Sequence, residues 1–217
     1  KNNNNKKTPW LTIVIIAVVV LGLGYFLVKS SPDNQRQNSN QVSATNDHYG
    51  ESAMSANSDT MNSLIGKPMP SIELSDKNGK TFTAGDFKGK NTVLFFNEGL
   101  MCYPACWNQI VSFGSDERFN SGEIQAISVV VDSAKDWQTA IAKMPQLAKA
   151  TTLFDTGASA SRQLGMLTTN SSMHRGSLPG HTYVVVDKDG IVRYVFDDPN
   201  MAIANDSLFN KIQELNK

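Results

Sequence analysis

Apolar and polar positions divide the chain into three stretches of different character. Residues 10–28 carry no charged side chain and are dominated by Ile, Val and Leu. At about 1.5 Å rise per residue, a helix of that length crosses the roughly 30 Å hydrocarbon core of a bilayer. Lys1, Lys6 and Lys7 precede the run, and Trp10 and Tyr25 stand where aromatic belts form. Tyr25, Phe26, Leu27, Val28 and Lys29 offer no small-x-small cleavage site. The pattern predicts an uncleaved transmembrane signal anchor over 10–28, with residues 1–9 cytoplasmic and everything after the span extracytoplasmic. Residues 29–63 are rich in Ser, Asn and Gln and poor in large apolar side chains. Such a segment buries too little surface to offset its ordering entropy, so it reads as a flexible linker.

From residue 64 the pattern is that of a folded domain, read as 64–217. Residues 71–74 alternate, 76–80 supply turn chemistry, and 81–83 complete a short hairpin. Residues 92–96 form a continuous apolar run, as a strand buried on both faces requires. A helix is expected to open at the two cysteines and continue to about residue 113. A second buried strand follows over 124–131, then a helical pattern over 134–149 that Pro145 breaks or kinks. A strand at 151–154 and a helix at 158–164 precede a hairpin made of 182–186, a turn at 187–190, and 191–196. A final amphipathic helix over 206–215 places Leu208, Ile212 and Leu215 on one face. Alternating strands and helices closed by a hairpin and a helix imply an α/β domain, a mixed sheet covered on both faces.

Charge changes this picture little. The 20 basic and 20 acidic residues balance, leaving no electrostatic reason to expect a nucleic-acid partner. Cysteine usage changes it a great deal. The chain has 2 cysteines, Cys102 and Cys106, whereas a structural disulfide framework spreads four or more along a small domain. A strand leading into a helix brings the pair to a helix N-terminus, where free N–H groups and the macrodipole favour a thiolate. Spacing i, i+4 puts both sulfurs on one helix face, within disulfide reach. Cys102 is expected to be the more exposed, attacking thiol and Cys106 the one that resolves it. Glu98, four residues before Cys102, reads as a proton relay or, more commonly for such a position, an exposed strand-end carboxylate. Trp107 reads as a shield for the pair or as helix packing, and Gly99 as the residue that permits the turn into the helix.

The order hairpin, Gly89-Lys90, buried strand, cysteine motif at a helix start, then Pro179 before a strand ending Asp187-Lys188-Asp189-Gly190, resembles the thioredoxin superfamily. More narrowly it is similar to the redoxin branch, the alkyl hydroperoxide reductase and thiol-specific antioxidant group, over about residues 65–216. The resemblance implies a thioredoxin-like fold carrying a redox-active disulfide. The implied activity is a membrane-anchored thiol–disulfide oxidoreductase that uses Cys102 and Cys106 and needs no cofactor. Its partners would be protein or small-molecule thiols and disulfides, with a membrane-embedded partner resetting the pair. The Pro-x-x-x-Thr-x-x-Cys context of a peroxidatic cysteine is missing. The corresponding places before Cys102 hold Phe95 and Gly99, and before Cys106 Gly99 and Tyr103. Slow peroxide reduction is therefore expected. Three residues between the cysteines also resemble the Sco copper-delivery proteins. That alternative makes Cys102, Cys106 and His181 copper ligands, with Met101, Met166 and Met173 as further soft donors. His174 is expected to be a solvated loop residue. The family's cis-proline opposite the thiols corresponds either to Pro179 or to a place taken over by His181.

Overall fold

The computed structural model describes residues 60–215. Seven strands form one sheet: β1 (Glu73–Ser75), β2 (Thr81–Thr83), β3 (Asn91–Asn97), β4 (Ile124–Val130), β5 (Thr151–Phe154), β6 (Thr182–Val186) and β7 (Val192–Asp197). Their order is β2-β1-β5-β4-β3-β6-β7. β3 runs parallel to β4 and antiparallel to β6, β4 runs parallel to β5, and hairpins form both edges. The sheet is thus mixed, as the strand order in the sequence predicts.

Every residue of β3 is buried, and the period-two alternation of a strand assigns its side chains to opposite cores. Val93 and Phe95 join one apolar cluster, whereas Leu94 and Phe96 join another on the far face. The first cluster holds residues of α1 (Ala105–Ser115), α2 (Ala134–Lys143) and α4 (Asn205–Leu215), among them Ile110, Trp137, Leu208 and Ile212. The second takes in Ala160 of α3 (Ser159–Gln163) with Leu74, Phe87 and Met166. Both cysteines belong to the first cluster.

Local chemistry sets the helix ends. The Ser133 hydroxyl caps α2 by accepting the Asp136 N–H at 3.1 Å. Pro145 cannot continue the ladder, and residues Pro145–Lys149 form a separate 3-10 turn. Asp155 accepts the Ala160 and Ser161 N–H groups and so fastens the start of α3. Among the described residues, no helix is long and apolar enough to cross a membrane. The predicted anchor over 10–28 and nearly all of the predicted linker lie outside the described residues.

Candidate redox site

The site is built where β3 ends. Asn97 turns its side-chain amide back on the sheet, donating to Val129 and Phe95 carbonyls while its oxygen accepts the Gly99 N–H. Residues Gly99–Met101 then make one 3-10 turn that ends on Cys102, and α1 opens three residues later. The Cys106 N–H donates to the Cys102 carbonyl at 3.0 Å, closing the loop between them. A disulfide joins Cys102 and Cys106 across a Cα separation of 5.4 Å.

Gly99 occupies left-handed backbone at φ +61°. Directly in front of it lies the Asp132 carboxylate, whose Oδ2 accepts the Leu100 N–H at 2.9 Å. A Cβ on residue 99 would overlap that oxygen. Gly99→Ala is therefore expected to destabilise the fold by about 2–3 kcal/mol, from αL strain plus the displaced carboxylate. Urea denaturation of the reduced protein measures this, and a loss below about half of the lower figure contradicts it. Asp132 is a member of the site that the sequence reading missed. Burial raises its pKa above the ordinary carboxylate value, against the Leu100 N–H that lowers it.

The two cysteines differ less in exposure than the sequence implies. Cys102 is 2 % exposed and Cys106 0 %. Exposure instead resides in the side chains flanking Cys102, with Met101 at 57 % and Tyr103 at 63 %. Cys106 lies in the first turn of α1, whereas Cys102 precedes it.

His181 takes the position opposite the thiols. Its Nδ1 lies 3.5 Å from Cys106 Sγ and its Nε2 lies 2.7 Å from the Tyr183 hydroxyl. Phe95 packs against the imidazole with ring centroids 4.6 Å apart. The Leu178–Pro179 bond is trans, and the cis peptide among the described residues is Tyr103–Pro104. Pro179 is buried beside Gly180, where a Cβ would collide with Ser171 and Ser172.

Burial pushes the His181 pKa down to about 4, although Asp198 and the Ala202 backbone pull the other way. The Tyr183 phenol is raised well above its usual value, chiefly by burial. The unfolded chain holds the extra proton between the ordinary histidine value of 6.5 and about 4, so stability falls as pH drops through that window. Unfolding free energy is expected to lose roughly 2–3 kcal/mol between pH 7 and pH 4.5 from this group. His181→Asn should flatten that part of the pH profile, and an unchanged slope contradicts the assignment.

Two expectations need correction. Glu98 is not an exposed strand-end carboxylate, since it is 1 % exposed. Its Oε1 accepts the Met173 and His174 N–H groups at 2.7 and 3.1 Å, and its Oε2 lies 2.8 Å from His174 Nδ1. A buried carboxylate is tolerated because the Met173 and His174 N–H groups, the His174 ring and the Ser172 hydroxyl surround it. His174 is correspondingly not merely solvated, because its ring pairs with Glu98. Trp107 is buried in the cysteines' own cluster, and its indole N–H donates to the Gly99 carbonyl at 3.0 Å. Met101 and Met173 are exposed, and Met166 lies in the cluster on the opposite sheet face.

A metal could be held only with the disulfide reduced. The Cys102 and Cys106 sulfurs and a His181 ring nitrogen all lie within 4.8 Å of one another, and all three residues are buried. Two thiolates and an imidazole make a soft donor set. As a redox couple the cysteine pair needs no cofactor, because its two sulfurs carry both electrons.

A mixed sheet with a cysteine pair at a strand-to-helix junction defines a thiol-redox domain of thioredoxin-like fold. The chain belongs to the Redoxin family, whose profile matches residues 64–211. It is similar to the chloroplastic peroxiredoxin Q of Triticum aestivum, 32% identical over 134 residues, covering 61% of this chain and 58% of that protein. The peroxiredoxin Q of Populus jackii is 30% identical over 134 residues, covering 61% of this chain and 60% of its own. The chain thus spans about three fifths of the length of these curated relatives. Among solved structures, the Plasmodium vivax 2-Cys peroxiredoxin superposes with a TM-score of 0.56 at 22% identity, covering 70% of this chain and 82% of its own. Mycobacterium tuberculosis AhpC does so at 0.57 and 17%, covering 70% and 93%. These likenesses establish the shared fold. The curated relatives are chloroplastic peroxiredoxins, which overturns the extracytoplasmic, membrane-tethered placement expected from the hydropathy pattern.

Proposed function

We propose that the domain is a thiol–disulfide oxidoreductase acting through Cys102 and Cys106. The observation that carries this reading is the disulfide itself, closed across one turn at the start of α1. In the reducing direction the Cys102 thiolate attacks a substrate disulfide, forming a mixed disulfide and expelling one substrate thiolate, which takes a proton from solvent. Cys106 gives up its proton and attacks the Cys102 sulfur. The second substrate thiolate leaves, two electrons have passed to the substrate, and the pair is left oxidised. A dithiol partner of the thioredoxin type then resets it.

Peroxide reduction is the competing reading, favoured by the peroxiredoxin Q relatives. Against it stands the absence of the proline and threonine that would polarise a peroxide beside either cysteine. Stopped-flow oxidation of the reduced protein by a peptide disulfide and by hydrogen peroxide separates the two. Peroxide is expected to react at the rate of an ordinary thiolate, measured alongside as N-acetylcysteine. A peroxide rate several orders of magnitude above that reference replaces the exchange reading with the peroxidase. The Sco-like alternative rests on the Cys102, Cys106 and His181 cluster. Tight stoichiometric copper binding by the reduced protein, weakened about tenfold or more by His181→Ala, would favour it.

A further inference from the structure

Beside the disulfide loop lies a groove of about 460 Å³, lined by Leu100, Tyr103, Trp107, Thr139, Lys143 and Met144. Leu100 and Tyr103 bracket Cys102 in the chain, so a polypeptide bonded to the Cys102 sulfur meets this groove within one or two residues of its own cysteine. Four lining side chains are apolar or aromatic, and Trp107 is held in place by its bond to the Gly99 carbonyl. The Thr139 hydroxyl is already committed to the Asp136 carbonyl. Lys143 is the one charged lining residue, and it makes no salt bridge among the described residues. Asp132 is not among the lining residues, and its carboxylate is committed to the Leu100 N–H.

The other flank of the site is closed. Glu98 fastens residues 172–174 to the end of β3, Gly180 packs against Ser171 and Ser172, and buried His181 lies against Cys106. An incoming chain therefore has the α2 flank as its open approach.

We infer that this groove selects the substrate: an extended segment of a partner polypeptide with a large apolar side chain and a carboxylate within two residues of its reactive cysteine. The apolar side chain fills the Leu100–Trp107–Met144 floor and the carboxylate meets Lys143. This rests on the exchange reading above. It distinguishes a polypeptide from a small thiol such as glutathione, which offers carboxylates but no large apolar side chain.

The test uses four synthetic peptides, each activated as a disulfide with thionitrobenzoate. Their cysteine is followed by Leu-Glu, Leu-Lys, Gly-Glu or Gly-Lys, and hydroxyethyl disulfide serves as the small-molecule reference. Reduced full-length protein is mixed with each, and the second-order rate is expressed relative to the same protein's rate on the reference. The Leu-Glu peptide is expected to react about tenfold faster than Gly-Glu, from partial burial of one leucine side chain. It should exceed Leu-Lys by roughly two- to fivefold, the scale of an exposed ion pair, and Lys143→Glu should reverse that order. Equal relative rates for all four peptides, or a charge preference that survives Lys143→Glu, would overturn the assignment while leaving the exchange reading intact. Absence of exchange with the reference disulfide would overturn both.

Discussion

Cys106→Ser is expected to lower catalytic turnover of a peptide disulfide by about a thousandfold or more, because the mixed disulfide on Cys102 then has no internal nucleophile to release it. The variant should accumulate a one-to-one adduct with the substrate peptide, visible as a mass increase that dithiothreitol removes. Cys102→Ser should be equally inactive without accumulating an adduct. The proposed roles rest on the surroundings of the two sulfurs, since both cysteines are themselves buried. Cys102 lies on the turn between the exposed side chains of Met101 and Tyr103, whereas Cys106 is fully enclosed in α1 beside His181. An adduct on Cys102→Ser and none on Cys106→Ser would reverse the assignment. The reduced wild type is the proper reference, since both substitutions also remove the disulfide.

Glu98→Ala should have the largest effect on stability. The substitution leaves two backbone N–H groups and the His174 ring without their acceptor, in a place where the carboxylate itself is buried. Hydrogen bonds to a charged acceptor contribute about 1.5–3 kcal/mol each, and Met173 and His174 lie near enough to solvent to recover part of it. A net loss of about 3–4 kcal/mol is therefore expected in urea denaturation, with Glu98→Gln losing about half as much because an acceptor oxygen remains. Hydrogen exchange should show the same event locally. The Met173 and His174 amides should lose protection in Glu98→Ala while the β3 amides keep theirs. Unchanged protection at residues 172–174 would show that Glu98 does not hold that loop.

The frame of the domain was legible because burial imposes patterns on individual strands. The apolar run 92–96 announces a strand with both faces covered, and β3 sends Phe95 and Phe96 into separate cores. Pro145 marks the end of α2 through its missing N–H, and the turn at 187–190 joins β6 to β7 as its composition suggests. The pairing of the cysteines was legible from their spacing, although the helix opens only at Ala105 and Cys102 lies on the turn before it rather than on the helix face the sequence predicts.

The setting of the pair was not legible, for a common reason. Glu98 meets its partners 75 and 76 positions away, and Asp132 meets Leu100 32 positions away, so no local periodicity reports either contact. A glutamate at a strand end is ordinarily solvated, and only the long connection through residues 164–181 supplies the donors that make its burial tolerable. Tyr183 had a faint signal. It stands two residues after His181, the spacing that places two side chains on one face of an extended chain, and the two rings do hydrogen-bond. The sequence leaves the place opposite the thiols to Pro179 or to His181, and it is His181 that makes the contact with Cys106.

The central claim, that Cys102 and Cys106 work as one two-electron couple, is tested most directly by a redox titration of the full-length protein. Samples equilibrated across graded ratios of reduced to oxidised glutathione are quenched with an alkylating reagent and weighed by mass spectrometry. Both cysteines should gain the label together along a single reversible two-electron curve, with the singly labelled form never dominant. Two cysteines that titrate independently, or a disulfide that stays closed under strong reduction in the native protein, would contradict a redox role for the pair.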